Sequence, residues 1–225
     1  MSNNANILTT AEHLDNTFVK VEPLVMLPSQ YNIIYADPAW KYNKRANSKT
    51  KFGLGVYGHY PTLDYETMKQ IQVEKLADKN CALFMWTTFP YLDKQIEVMK
   101  SWGFRYCTVA FVWVKTNKRQ DLSQTSFLPT NLDTFFGIGY YTKSNTEICL
   151  LGMKGQLKVK SNNVSSIVIA PREEHSKKPA IVRDKIVELF GDLPRIELFA
   201  RQKTDGWAVW GNEVKNDVNL LARTT

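Results

Sequence analysis

Metal and redox motifs are the first things this sequence lacks. Its three cysteines, Cys81, Cys107 and Cys149, form no C-x-x-C pair, and its three histidines are scattered. That excludes the usual structural zinc spacings, and no metal ligand set is expected. Each cysteine sits inside an apolar, strand-like run and reads as a small buried hydrophobe in a reducing cytosol. The opening "MSNNANILTTAEHLDNT" is polar and lacks the basic-then-apolar order of a secretory signal. No apolar run approaches the ~20 residues that span a bilayer. There is no obvious repeat, low-complexity tract or interdomain linker. A soluble, intracellular protein is expected.

What the sequence does have is a large apolar fraction and an excess of positive charge. At 225 residues and 44% hydrophobic, it can bury a sizeable core. The formal net charge of +7 favours a polyanionic partner without requiring one. Runs rich in Val, Ile, Phe, Tyr and Trp predict strands at Asn32–Ala36, Cys81–Trp86, Cys107–Val114, Glu147–Gly152, Ser166–Ala170, Arg195–Ala200 and Trp207–Trp210. Several are apolar throughout, as in strands covered on both faces. Helices are predicted from Leu63 or Asp64 to Ile71, through "YLDKQIEVMKSWG", and through "KPAIVRDKIVELFG". Gly103 and Gly191 act as stops and Pro179 lies near a helix start. Strands alternating with helices predict one doubly wound α/β domain, whose ligands bind beyond the carboxyl ends of the strands.

Two long polar connections stand out. Residues 41 to 60 carry Lys41, Lys44, Arg45, Lys49 and Lys51 with no acid among them. Residues 115 to 145 carry Lys115, Lys118 and Arg119. Loops this long in a compact domain are usually functional or disordered, and these eight cations are the candidate phosphate contacts. The first loop follows Asp37-Pro38-Ala39-Trp40, at the end of the first predicted strand. A carboxylate and a proline carbonyl are both acceptors, and proline fixes its own φ. Together they suit a planar amine such as that of adenine, and a tryptophan face can stack a base for roughly 1 to 3 kcal/mol. The plainer alternative makes Asp37 a turn residue and Trp40 a core residue.

Asp37-Pro38-Ala39-Trp40 resembles the D-P-P-W signature of the MT-A type adenine-N6 methyltransferases. Further blocks extend the resemblance over residues 30 to 214: "HYPTLDYETMKQI", "GYYTKSNTEICLLGMKG", "APREEHSKKPAIVRDKIVELF" and "RIELFARQKTDGWAVWGNEV". The resemblance implies a Rossmann-like S-adenosylmethionine-dependent methyltransferase fold, with the catalytic motif preceding the cofactor motif. No G-x-G-x-x-G follows "RIELFA", and a glycine-based search misses that motif. Implied catalytic residues are Asp37, Pro38, Trp40 and Tyr60. Implied contacts to S-adenosylmethionine are Ala36, Asp37, Lys178, Glu197, Leu198, Phe199, Arg201, Asn212 and Glu213. The implied activity is methylation of adenine N6 in DNA, with the base extruded from its stack. RNA as substrate, or an inactive nucleic-acid-binding subunit, are the alternatives. A homodimer is one assembly open to such a protein, and the cytoplasm of a prokaryotic or phage-infected cell is its implied place. Residues 1–29 are expected to be an N-terminal extension, 30–214 the methyltransferase domain and 215–225 a tail. Ala39 departs from the signature, in place of its second proline.

Overall fold

The computed structural model describes residues 31–38, 63–117, 134–135, 137, 141–173 and 177–220. Within these, seven strands form one mixed sheet. They are β1 (Tyr31–Ala36), β2 (Ala77–Thr87), β3 (Arg105–Thr116), β4 (Thr146–Lys154), β5 (Ile167–Pro171), β6 (Arg195–Leu198) and β7 (Ala208–Trp210). Their spatial order is β5-β3-β4-β2-β1-β6-β7. The pairs β1–β2, β1–β6, β6–β7 and β3–β5 are parallel. Only β4 runs against its neighbours, β2 and β3. The carboxyl ends of six strands and the start of β4 therefore share one edge of the sheet.

Among the described residues, three α-helices cover the two faces. Helices α1 (Tyr65–Gln70) and α2 (Leu92–Ser101) lie on one face, and α3 (Ile181–Phe190) on the other. Alternation along β1 assigns its side chains: Ile34 and Ala36 join the α1–α2 core, Ile33 and Tyr35 the α3 core. Both faces are buried, which explains why β1 and β2 read as continuous apolar runs. Asp64 caps α1 by accepting from the Thr67 N–H at 2.9 Å. Gly191 ends α3 at φ 91°, a conformation that suits glycine. No helix among the described residues is long and apolar enough to cross a membrane.

Several predicted boundaries shift. Strand β6 stops at Leu198 rather than Ala200, because Phe199 turns away with φ 61°. Strand β3 runs on through Lys115 and Thr116, which pair with β5. The second long loop therefore begins after residue 117, and Lys115 belongs to the sheet. Two residues of the expected tail, Asp217 and Val218, pack on the domain. The Asp217 carboxylate accepts from the Val209 N–H at 2.8 Å, and Val218 is buried in the α1–α2 core.

Candidate active site

Asp37 is placed by strand pairing. Ala36 and Leu198 are register partners, and the Asp37 N–H reaches the Leu198 carbonyl at 3.5 Å. The two motifs, far apart in sequence, thus meet at the ends of adjacent parallel strands. Asp37 follows β1 directly, and its carboxylate meets Lys178 on the side of the sheet where Trp86 packs. Pro38 beside it is buried.

There the carboxylate enters a cluster of four charges. Lys178, from the loop after β5, places its Nζ 2.7 Å from Asp37 Oδ2 and 3.3 Å from Glu147 Oε2. Glu147, at the start of antiparallel β4, holds Lys115 through its other oxygen, Oε1, at 2.6 Å. Aromatic rings floor the cluster. Lys178 lies 5.6 Å from the Trp86 ring centroid, and Lys115 lies 5.2 Å from that of Trp113. Trp86 is fixed in turn by donating from Nε1 to the Tyr35 hydroxyl at 2.6 Å.

Burial raises the Asp37 carboxyl, with Lys178 only partly opposing the shift. Burial also pushes up the carboxyl of Glu147, but the Lys178 and Lys115 ammoniums outweigh it and hold that group below its usual value. Burial disfavours the charge on Lys178, but Asp37 and Glu147 together raise it, and the ammonium persists at physiological pH. Cys149 lies near Asp37, and burial pushes its thiol well up. A neutral, fully buried thiol is a poor nucleophile.

The residues expected around the cofactor divide into two groups. Leu198 is buried on the α1–α2 face, and Phe199 stacks on Trp102 (6.4 Å, 15°) and meets Trp210 edge-on (5.3 Å). Phe199 is the only non-glycine residue with positive φ among those described. A bulky side chain there is a strained conformation, held by its aromatic neighbours. Arg201 and Glu213 pair at 2.9 Å beside exposed Asn212, at the ends of β6 and β7. Gly211 sits so close to Ala200 that an added Cβ would lie 2.1 Å from its carbonyl oxygen. That approach draws Asn212 and Glu213 in beside the end of β6.

Two of the expected residues have protein partners of their own. Glu197 faces α3, where both carboxylate oxygens are taken by Arg183 at 2.7 and 2.8 Å. Its partner is a helix side chain under the sheet edge, and the Arg183 guanidinium lies over Tyr35. Lys115 is buried and paired with Glu147, so its charge is not offered to phosphates. Trp40, Tyr60, Lys41, Lys44, Arg45, Lys49, Lys51, Lys118 and Arg119 lie outside the described residues, as does Ala39. Glu147 and Arg183 were missed by sequence reading. The signal for Glu147 was present: an acid opening the apolar run "EICLLG", as Asp37 closes "NIIYAD".

The MT-A70 family model matches residues 31–213. The chain belongs to the MT-A70 family. It is 35% identical over 218 residues to the type II methyltransferase M.MunI of a Mycoplasma species, covering 88% of this chain and 86% of that protein. It is 28% identical to human N(6)-adenine-specific methyltransferase METTL4 and 25% to an Arabidopsis thaliana N(6)-adenosine-methyltransferase MT-A70-like protein. Those matches cover 86% and 85% of this chain but only 39% and 24% of the relatives. The MT-A70 match and the seven-stranded mixed sheet agree on an α/β, Rossmann-like methyltransferase fold.

Proposed function

We propose that this MT-A70 protein is an S-adenosylmethionine-dependent methyltransferase acting on the N6 amine of adenine in DNA. The observation that carries the reading is the placement of Asp37. It is a part-buried carboxylate at the junction of β1 and β6, with its pKa raised and an ammonium beside it. The name of the Mycoplasma relative, covered over most of its length, supports a type II modification enzyme of a restriction–modification pair.

The residues at this edge fit the chemistry of the donor. Asp37 suits an α-amino group, the Arg201–Glu213 pair and Asn212 suit ribose hydroxyls, and Phe199 and Trp210 offer aromatic surface. Bound there, S-adenosylmethionine would supply a methyl group, leaving S-adenosylhomocysteine and one proton. The chain itself positions the acceptor. Asp37 and the Pro38 carbonyl accept from the two N–H bonds of the amine and favour the pyramidal nitrogen that attacks. Their negative potential stabilises the positive charge developing on that nitrogen. No side-chain nucleophile is needed, consistent with a neutral Cys149. Trp40 and Tyr60 would wall the extruded base, and the cations of residues 41 to 51 would hold flanking phosphates.

The test is Asp37→Ala, assayed with tritiated S-adenosylmethionine on double-stranded DNA, single-stranded DNA and RNA. Transfer to DNA by the wild type and a loss of at least about a thousandfold in the variant, with an unchanged circular dichroism spectrum, is expected. Near-normal activity in the variant sinks the assignment. Preferential transfer to RNA replaces the substrate. Failure of the wild type to bind S-adenosylmethionine points to an inactive binding subunit.

A further inference from the structure

Lys178 creates a difficulty for the reaction just proposed. Its ammonium donates to Asp37 Oδ2 at 2.7 Å, the carboxylate required to accept from the target amine. A charge-assisted bond of that length draws electron density from the acceptor. The ammonium also opposes the positive charge that develops on the attacked nitrogen.

Glu147 offers a way out. Its Oε2 is already 3.3 Å from the same Nζ, and a small displacement turns the longer contact into the shorter. Its other oxygen is tied to Lys115 at 2.6 Å, and Lys115 is itself anchored in β3 with its ammonium over Trp113. Glu147 is therefore held in place while one oxygen faces Lys178. The fold brings this about through the one antiparallel strand, since the start of β4 reaches the edge where β1 ends.

We propose that Glu147 is a positioning residue that takes over the Lys178 ammonium when Asp37 engages the amine, with Lys115 keeping Glu147 in register. The proposal rests on the methyltransferase reading above. Two ammoniums face two carboxylates, so the handover leaves the cluster neutral, with both ammoniums on Glu147 and Asp37 bonded to the amine. No proton or covalent bond moves; one ion pair lengthens and another shortens. Among the described residues, the remaining charged or titratable groups that act on Asp37 or lie near it are Glu197, held by Arg183, and the neutral Cys149.

The experiment uses the full chain and three variants, Glu147→Gln, Glu147→Asp and Lys115→Met. The measurements are kcat, KM for DNA, the dissociation constant of S-adenosylmethionine, and the pH profile of kcat. Glu147→Gln keeps the shape and an acceptor for Lys115 but removes the charge. It is expected to lower kcat at least tenfold while KM and cofactor affinity stay within about twofold. Because Glu147 pushes the Asp37 carboxyl up, its loss moves the acid limb of the profile to lower pH. A role confined to the fold leaves kcat per folded molecule at the plateau of that profile unchanged. Lys115→Met is expected to give a smaller loss of kcat in the same direction, and Glu147→Asp a partial recovery. An active wild type whose Glu147→Gln form keeps its plateau kcat overturns the handover alone. If Glu147→Gln does not fold, an unchanged kcat in Lys115→Met overturns it instead. A wild type that transfers no methyl group overturns both readings.

Discussion

Among the described residues, the α3 face of the sheet buries charges in pairs, whereas the α1–α2 face buries an amide without a partner. On the first, Lys178 joins Asp37 to Glu147, Lys115 holds Glu147, and Arg183 grips Glu197 with two hydrogen bonds. On the second, Gln95 occupies the inward stripe of α2 with Val98 and Met99, fully buried, and neither side-chain amide atom has a hydrogen-bond partner among the described residues. The contrast shows what burial demands of polar groups. A paired charge recovers through its partner much of what it loses in leaving water, while an unpaired amide recovers nothing.

The largest effect is expected from breaking a pair. Arg183→Met leaves Glu197 buried without its counter-ion and should cost about 3–5 kcal/mol of unfolding free energy, measured by urea denaturation. The double variant Arg183→Met with Glu197→Leu should recover most of that loss, because no charge is then stranded. If Arg183→Met costs nothing, the pair is no more than an exposed contact. Tyr35 supplies a second readout, since the Arg183 guanidinium covers its ring and its hydroxyl anchors Trp86 under Lys178.

Much of this architecture was legible in the sequence. Every predicted strand has a counterpart, because apolar runs buried on both faces leave an unambiguous signal. The junction at Asp37 was legible as well, since an acid and a proline cannot continue such a run. Other features were not. Lys115 looked like the first residue of a basic loop, yet the ladder with β5 carries β3 past it. Glu197 alternates with Ile196 and Leu198, but which face of β6 holds Arg183 depends on where α3 packs. Glu147 was missed for a topological reason: its closeness to Asp37 exists only because β4 runs against β2. Local patterns show where strands lie; the meeting of their ends is a property of the whole sheet.

A smaller effect, of opposite sign, is expected on the other face. Gln95→Leu replaces two unpartnered polar atoms with methyl groups of similar reach, beside Val98 and Met99. It should raise the unfolding free energy by about 1–2 kcal/mol in urea denaturation. A destabilised variant would mean that the amide is satisfied in solution, by ordered water for instance. The difference between the two faces would then be smaller than the structure suggests.

The smallest effect falls on Asp37 itself and depends on pH. Burial raises its carboxyl above the ordinary value of 3.8, and Lys178 does not fully compensate. The folded state therefore holds this proton more tightly than the unfolded chain does. Stability attributable to Asp37 is present below the ordinary value and is lost as pH rises through the raised one. Glu147 behaves oppositely: its lowered value supports the fold at neutral pH and that support is lost on acidification. Asp37→Asn mimics the protonated form and leaves Lys178 to Glu147. It should be slightly more stable than the wild type at pH 7, by about 1 kcal/mol or less, with the gap closing below pH 3.8. Paired urea titrations at the two pH values read the difference directly. A variant less stable than wild type at pH 7 would show that Lys178 compensates Asp37 in full, as Arg183 compensates Glu197. The expected result instead marks Asp37 as the member of the charged face whose burial serves chemistry at some cost to the fold.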